Sequence, residues 1–116
     1  MIMMFGCASE IVQSRSAEWI AGMQKMLMDL DGELRESGEW VAGDALIDPS
    51  QARTVRFADG VPVVTDGPFA EIKESLAGYW IVEASEQRVL EIASTVVAYT
   101  ERPMEVRRLM DAPTQP

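Results

Sequence analysis

The sequence predicts an α+β fold, an antiparallel sheet carrying two helices on one face. Three observations lead there. Trp19, Ile20, Met23, Met26, Leu27, Leu30 and Leu34 recur at three- and four-residue steps, which draws one apolar helix face. Residues 53–58 alternate, Asp59-Gly60 follows and the apolar residues 61–64 return, the signature of a β-hairpin closed by a two-residue turn. Strand-like runs flank each helical run, giving β-α-β, a small hairpin, then β-α-β. At 116 residues and 47% hydrophobic content, the chain has room for one domain with one core.

Residues 1–7 read as the first strand, apolar throughout and therefore central in the sheet. Residues 9–16 read as a polar linker. Ser16 is suited to cap the first helix, with Glu18 favourably placed against the helix dipole in the first turn. Gly32 inside that helix costs about 1 kcal/mol relative to Ala, so a close packing partner is expected beside it. Gly38, after Ser37, ends the helix.

Residues 40–47 form the second strand, interrupted by Gly43 and Asp44, and Asp48-Pro49-Ser50 is a turn. In the hairpin, Pro62 cannot donate to a ladder, so its strand lies at an edge or against a bulge. Residues 76–84 form a long strand on which Tyr79 and Trp80 point to opposite faces. Ser85 caps a second helix running to about residue 99, with Val89, Ile92, Ala93, Val96 and Val97 as its buried face. Pro103 breaks the chain, residues 104–110 form the last strand, and residues 111–116 form a disordered tail. The single domain thus spans residues 1–110. The arrangement is ferredoxin-like. Helices on one side leave the other sheet face bare, and the apolar first strand and the long strand at residues 76–84 want cover on both faces, so a homodimer is expected.

Net charge is −9, which opposes binding to a phosphate backbone, and the one basic cluster is Arg102, Arg107 and Arg108. Direct nucleic-acid binding is therefore not expected. No apolar run approaches a membrane span, and the N-terminal residues lack the regions of a signal peptide. A single cysteine excludes an internal disulfide and makes a cytoplasmic location the default. There is no His, no Cys or His constellation for zinc, and no phosphate-loop or nucleophile-elbow pattern. No metal and no cofactor is expected. Cys7, without a His partner, is not read as a catalytic thiol.

Chemistry concentrates in residues 64–74, Val-Thr-Asp-Gly-Pro-Phe-Ala-Glu-Ile-Lys-Glu. Gly67 and Pro68 impose a defined turn there. Asp66 is a candidate general base or ligand-orienting acceptor, and is equally suited to holding its own turn. Glu71, Lys73 and Glu74 make either a polar site or a solvated charged turn. Tyr79 carries a hydroxyl that can donate to a ligand. Phe69 is expected to plug the turn into the core. Trp40 and Trp80 suit a core or a dimer interface better than a pocket wall.

Asp59-Gly60, the Asp66-Gly67-Pro68-Phe69 core with its flanks, Lys73-Glu74 and Gly78-Tyr79 together resemble the YCII-related proteins of the DGPF type. The likeness covers about residues 1–110. It implies a dimeric ferredoxin-like α+β barrel from a mostly bacterial, largely uncharacterised family. A small-molecule cleft is implied between the sheet and the partner, and some members stand beside sigma factors. The wider group is thought to use a His–Asp pair. This chain has no His, which excludes that mechanism and leaves Asp66 as the one possible counterpart. Ile72 stands where a small polar residue is common, and Ala77 where a Gly is usual.

Two functions follow as expectations. One is a small-molecule cleft near the turn, with Asp66 catalytic, Glu71, Lys73 and Tyr79 binding the ligand, and cofactor-independent lyase or isomerase chemistry. The other is a non-catalytic regulatory or protein-interaction module, associated with a sigma factor.

Overall fold

In the computed structural model, which describes residues 1–69 and 74–111, the elements follow in chain order. They are β1 (Ile2–Phe5), α1 (Ala8–Ser14), α2 (Ala17–Ser37), β2 (Trp40–Ala45), β3 (Arg53–Ala58), β4 (Val61–Asp66), β5 (Leu76–Val82), α3 (Glu86–Thr100) and β6 (Met104–Val106). Four strands form an antiparallel sheet in the order β2-β5-β1-β6, while β3 and β4 form a separate two-stranded ribbon. With the ribbon set aside, that is the ferredoxin-like order the sequence predicts. β1 is central, as its unbroken apolar run requires.

The helix boundaries follow from local chemistry. The Ser16 hydroxyl accepts from the Trp19 amide at 3.1 Å, and the Ser85 hydroxyl from the Arg88 amide at 3.2 Å. Both satisfy an amide that the first helical turn leaves unpaired. Gly38, at φ 80°, ends α2 in the left-handed conformation. α3 ends on Glu101 at φ 57°, a left-handed stop made without glycine.

The core lies between the helices and one face of the sheet. Ile2, Leu30, Leu34, Trp80, Val89, Ile92, Ala93 and Val96 are buried, and Met4, Trp40, Met104 and Val106 pack against them. Burying each large apolar side chain contributes roughly 1.5–3 kcal/mol. Trp80 is thus a core residue, and its indole N–H donates to Asp31 Oδ1 at 2.7 Å. Trp40 lies under the Arg35 guanidinium, 4.1 Å from the ring centroid.

The strand register fixes what occupies the other face. Tyr79 sits opposite Asp44 on one side and Met3 on the other, and Met3 sits opposite Glu105. Since Ile2, Trp80 and Val106 point at the helices, Asp44, Tyr79, Met3 and Glu105 form a row across the uncovered face. Tyr79 and Trp80 therefore do face opposite ways.

Several elements differ from the expectation. Residues 9–16 are not a linker but mostly helix α1, about two turns long, with Ile11 facing the interior. A helix that short has too few apolar positions to show a period. The last strand stops at Val106 rather than residue 110, so Arg107 and Arg108 follow it instead of alternating along it. Gly32 has nothing within 4 Å of where a Cβ would stand, so no close packing partner requires it. Close approach occurs instead at Gly22, which lies against the Tyr99 hydroxyl. Most of the expected tail, residues 112–116, lies outside the described residues.

The hairpin is as predicted in its turn, with Asp59 at φ 50° and Gly60 at φ 81°, the pair of positive angles a type I′ turn needs. Its setting is unusual. Every residue from Arg53 to Asp66 except Thr54 is exposed. The radius of gyration is 16.9 Å, against about 13 Å for a compact chain of this size. The molecule is a slab of 52 × 48 × 20 Å, and the hairpin is an arm lying within its thickness.

Candidate functional site

The sequence directs attention first to the arm and the segment after it. Asp66 is the last residue of β4, its side chain 95% exposed, facing Arg53 Nε at 3.9 Å. The turn is held by other groups. The Gly67 amide donates to the Ala52 carbonyl at 2.7 Å, and the Thr54 hydroxyl donates to the Gly67 carbonyl at 2.8 Å. Phe69 does not plug the core. It is 41% exposed and lies beneath Arg56, 5.8 Å from guanidinium carbon to ring centroid. An aromatic following a protruding ribbon has no core within reach, however apolar it is. Glu71 and Lys73 lie outside the described residues. Tyr79 is half-buried on the open face of the four-stranded sheet, so Asp66 and Tyr79 stand on different sheets.

A largely enclosed cleft lies elsewhere, where the end of β1, α1, the start of α2 and the end of α3 meet. Its volume is about 80 Å³. Met4, Phe5, Ile11, Trp19 and Met23 make its apolar walls, and Ser14, Arg15, Thr100 and Arg102 supply the polar groups. Arg15 is the first of the two residues between α1 and α2, and its guanidinium carbon lies 4.6 Å from the Trp19 ring centroid. That stacking fixes the plane of the guanidinium. Trp19 is in turn held by Tyr99, whose ring centroid is 5.4 Å away and whose hydroxyl donates to the Trp19 carbonyl at 3.2 Å.

Arg102 lines the same cleft, one residue after the left-handed stop of α3. Its Nη1 lies 2.7 Å from where a Cβ on Gly6 would be, and Gly6 has φ 133°. Only glycine adopts that angle readily and leaves that space, so Gly6 is what lets the guanidinium rest against the end of β1. Both arginines have acidic neighbours outside the cleft, Glu101 at 3.7 Å from Arg15 and Glu10 at 3.8 Å from Arg102. Those separations exceed a hydrogen bond, so each guanidinium keeps N–H groups for another acceptor.

Beside the cleft, Cys7 donates to Asp48 Oδ2 at 3.1 Å and contacts the Ser9 hydroxyl at 2.8 Å. The Ser50 amide donates to the other Asp48 oxygen at 2.9 Å. Asp48 is held well below the usual carboxylate range, first by hydrogen bonding from Ser50 and then from Cys7 and Ser9. This cluster ties the start of α1 to the turn after β2. Among the described residues, no group of three or more His, Cys, Asp or Glu is placed to hold a metal ion. No described helix is long and apolar enough to cross a membrane.

The cleft was beyond the reach of the sequence because Arg15 and Arg102 are far apart in the chain. One visible signal was the Gly6 that closes β1. Another was Arg102, counted as part of a basic cluster with Arg107 and Arg108, from which the fold separates it.

The model of the YCII-related domain matches residues 3–112, nearly the whole chain. No curated protein matches.

Proposed function

Because the chain belongs to the YCII-related domain family, and because two guanidiniums converge on an enclosed, apolar-walled cleft, we propose that it is a dimeric binding protein for a small carboxylate. The convergence of Arg15 and Arg102 carries this reading. In a chain of net charge −9, an anion is attracted to few places, and this is one. A carboxylate accepts from both guanidiniums while its short carbon chain packs against Trp19, Phe5 and Met23. Ser14 and Thr100 supply further hydroxyl partners. A dry cavity of about 150 Å³ holds benzene, so a cleft of about 80 Å³ limits the ligand to a short-chain acid, propionate at the largest. Glu10 and Glu101 orient the arginines from outside and compete with the ligand, which limits affinity.

The lining side chains supply donors and apolar walls, and none of them is an acid or a base that exchanges protons near neutral pH. The role we assign is therefore binding. Of the described residues that the sequence singles out, Asp66 and Tyr79 are not part of this cleft; Tyr79 belongs to the open sheet face. The dimer is supported by that face. Tyr79, Met3 and Ile81 make an apolar centre, and Asp44 and the Glu105–Arg107 pair, 3.1 Å apart, make a polar rim. That is the anatomy of an interface between proteins. A regulatory role toward a larger partner such as a sigma factor is the second reading, and the exposed apolar side chains of the arm favour it.

Titration with propionate, followed by the indole N–H resonance of Trp19, tests the binding site. Propionate should shift that signal, and neutral propionamide should bind at least about tenfold more weakly. Arg15→Gln and Arg102→Gln should each weaken propionate about tenfold while leaving the far-ultraviolet spectrum unchanged. Equal binding of acid and amide, or of wild type and both variants, overturns the assignment.

A further inference from the structure

We infer that the β3–β4 arm is a clasp for a second copy of this chain, an inference that rests on the dimer reading above. On one face of the arm Val55, Phe57, Pro62 and Val64 stand together, since Val55 pairs with Val64 and Phe57 with Pro62. Val55, Phe57 and Val64 are 67%, 78% and 57% exposed. A two-stranded ribbon is marginally stable in water by itself, and an apolar face on it calls for a surface to pack against. The base of this ribbon is nonetheless fixed, by the Gly67–Ala52 backbone bond and the Thr54 hydroxyl. The arm is presented ready-made.

Shape and charge select the occupant. The arm lies within the 20 Å thickness of the slab and reaches out along it. When two slabs stack through their open sheet faces, an arm that overruns its own body comes to lie along the body of the other. Charge agrees. Arg53 and Arg56 balance Asp59 and Asp66, so the arm is neutral in a chain of net charge −9. A neutral, apolar projection is the part that a like-charged copy approaches without repulsion. Extent agrees too. A standard interface takes roughly 20–30 residues a side, and residues 53–66 supply roughly half of that, the open sheet face supplying the remainder. Leu46 and Ile47, 44% and 68% exposed in the connection from β2 to the arm, add further apolar surface.

Sedimentation velocity on the full chain tests this. In the variant Val55→Thr, Phe57→Thr, Val64→Thr, threonine retains strand propensity while removing most of the apolar face. The wild type should be a dimer at micromolar concentration, and the variant should dissociate at least about 100-fold more readily, with its propionate binding unaltered. A dimeric wild type with an equally tight variant overturns the clasp and leaves the dimer standing. A monomeric wild type overturns both, and leaves the arm to a different protein.

Discussion

The Trp80 indole N–H donates to the Asp31 carboxylate across 2.7 Å, joining the middle of the sheet to the middle of α2. Trp80 is 7% exposed, so the indole has little other access to an acceptor. Removing the acceptor leaves a buried donor unpaired, which costs about 1–3 kcal/mol. Asp31→Ala should lower the unfolding free energy by that amount in urea, and Asp31→Asn, which retains an oxygen, by less. Identical losses in the two variants would show that the bond contributes little.

A second prediction concerns acid. Arg88 donates to Glu39 at 2.9 Å and 3.2 Å and to Glu33 at 3.3 Å. Glu39 is held below the ordinary glutamate range, first by the hydrogen bonds from Arg88 and then by Ser37. A carboxyl whose folded pKa is depressed contributes stability that is present above its unfolded pKa, about 4.3. That contribution is lost as pH falls through the lower folded value. Arg88→Met should therefore reduce stability at neutral pH and flatten the decline between about pH 5 and pH 3. The slope that survives belongs in part to Asp48, whose pKa is also depressed and which does not touch Arg88. Urea midpoints at pH 7, 5 and 3 measure it, and parallel curves for the two proteins would refute it.

Gly6→Ala should act twice. The backbone at φ 133° is strained for alanine, which costs on the order of 1–3 kcal/mol. The new methyl also meets Arg102 Nη1, so the guanidinium must leave the wall of the cleft. Propionate affinity should fall about tenfold, as in Arg102→Gln. A variant that is destabilised but binds normally would separate the glycine from the site.

Asp66→Asn should change stability by less than about 0.5 kcal/mol, because its partner Arg53 is 75% exposed and surface pairs contribute little. Propionate binding should be untouched. If the variant instead unfolds, Asp66 holds the arm in place, and if it loses the ligand, the cleft between Arg15 and Arg102 is not the binding site.

Ile92 is 1% exposed at the centre of α3's inner face. Truncation to alanine should cost about 2–5 kcal/mol, depending on how far the cavity collapses. Leu90, two residues away and 49% exposed, is the control. Its truncation should change the urea midpoint little, unless that surface is covered in the assembled protein.

The sequence showed the body of the fold through periodicity. The stripe from Trp19 to Leu34, the caps at Ser16 and Ser85 and the Asp59-Gly60 turn are all local signals, and each is in its expected place. What it concealed was decided by distance along the chain or by context. Helix α1 is too short to show a period. Phe69 looks like a core residue in every local respect, and only the projection of the ribbon leaves it outside. Arg15 and Arg102 become neighbours through the ferredoxin-like crossing of α2 and α3, which no short window of sequence contains.

The hydrogen bond from Gly67 back to Ala52 closes the ribbon at its root, so the ribbon begins and ends at nearly the same point. Residues 53–66 are in effect a cassette set between β2 and β5. Such a cassette can be lengthened, recharged or exchanged while the helices and the four-stranded sheet continue to fold as they do here. Changes confined to residues 53–66 thereby carry little risk to the core that the helices and the four-stranded sheet enclose.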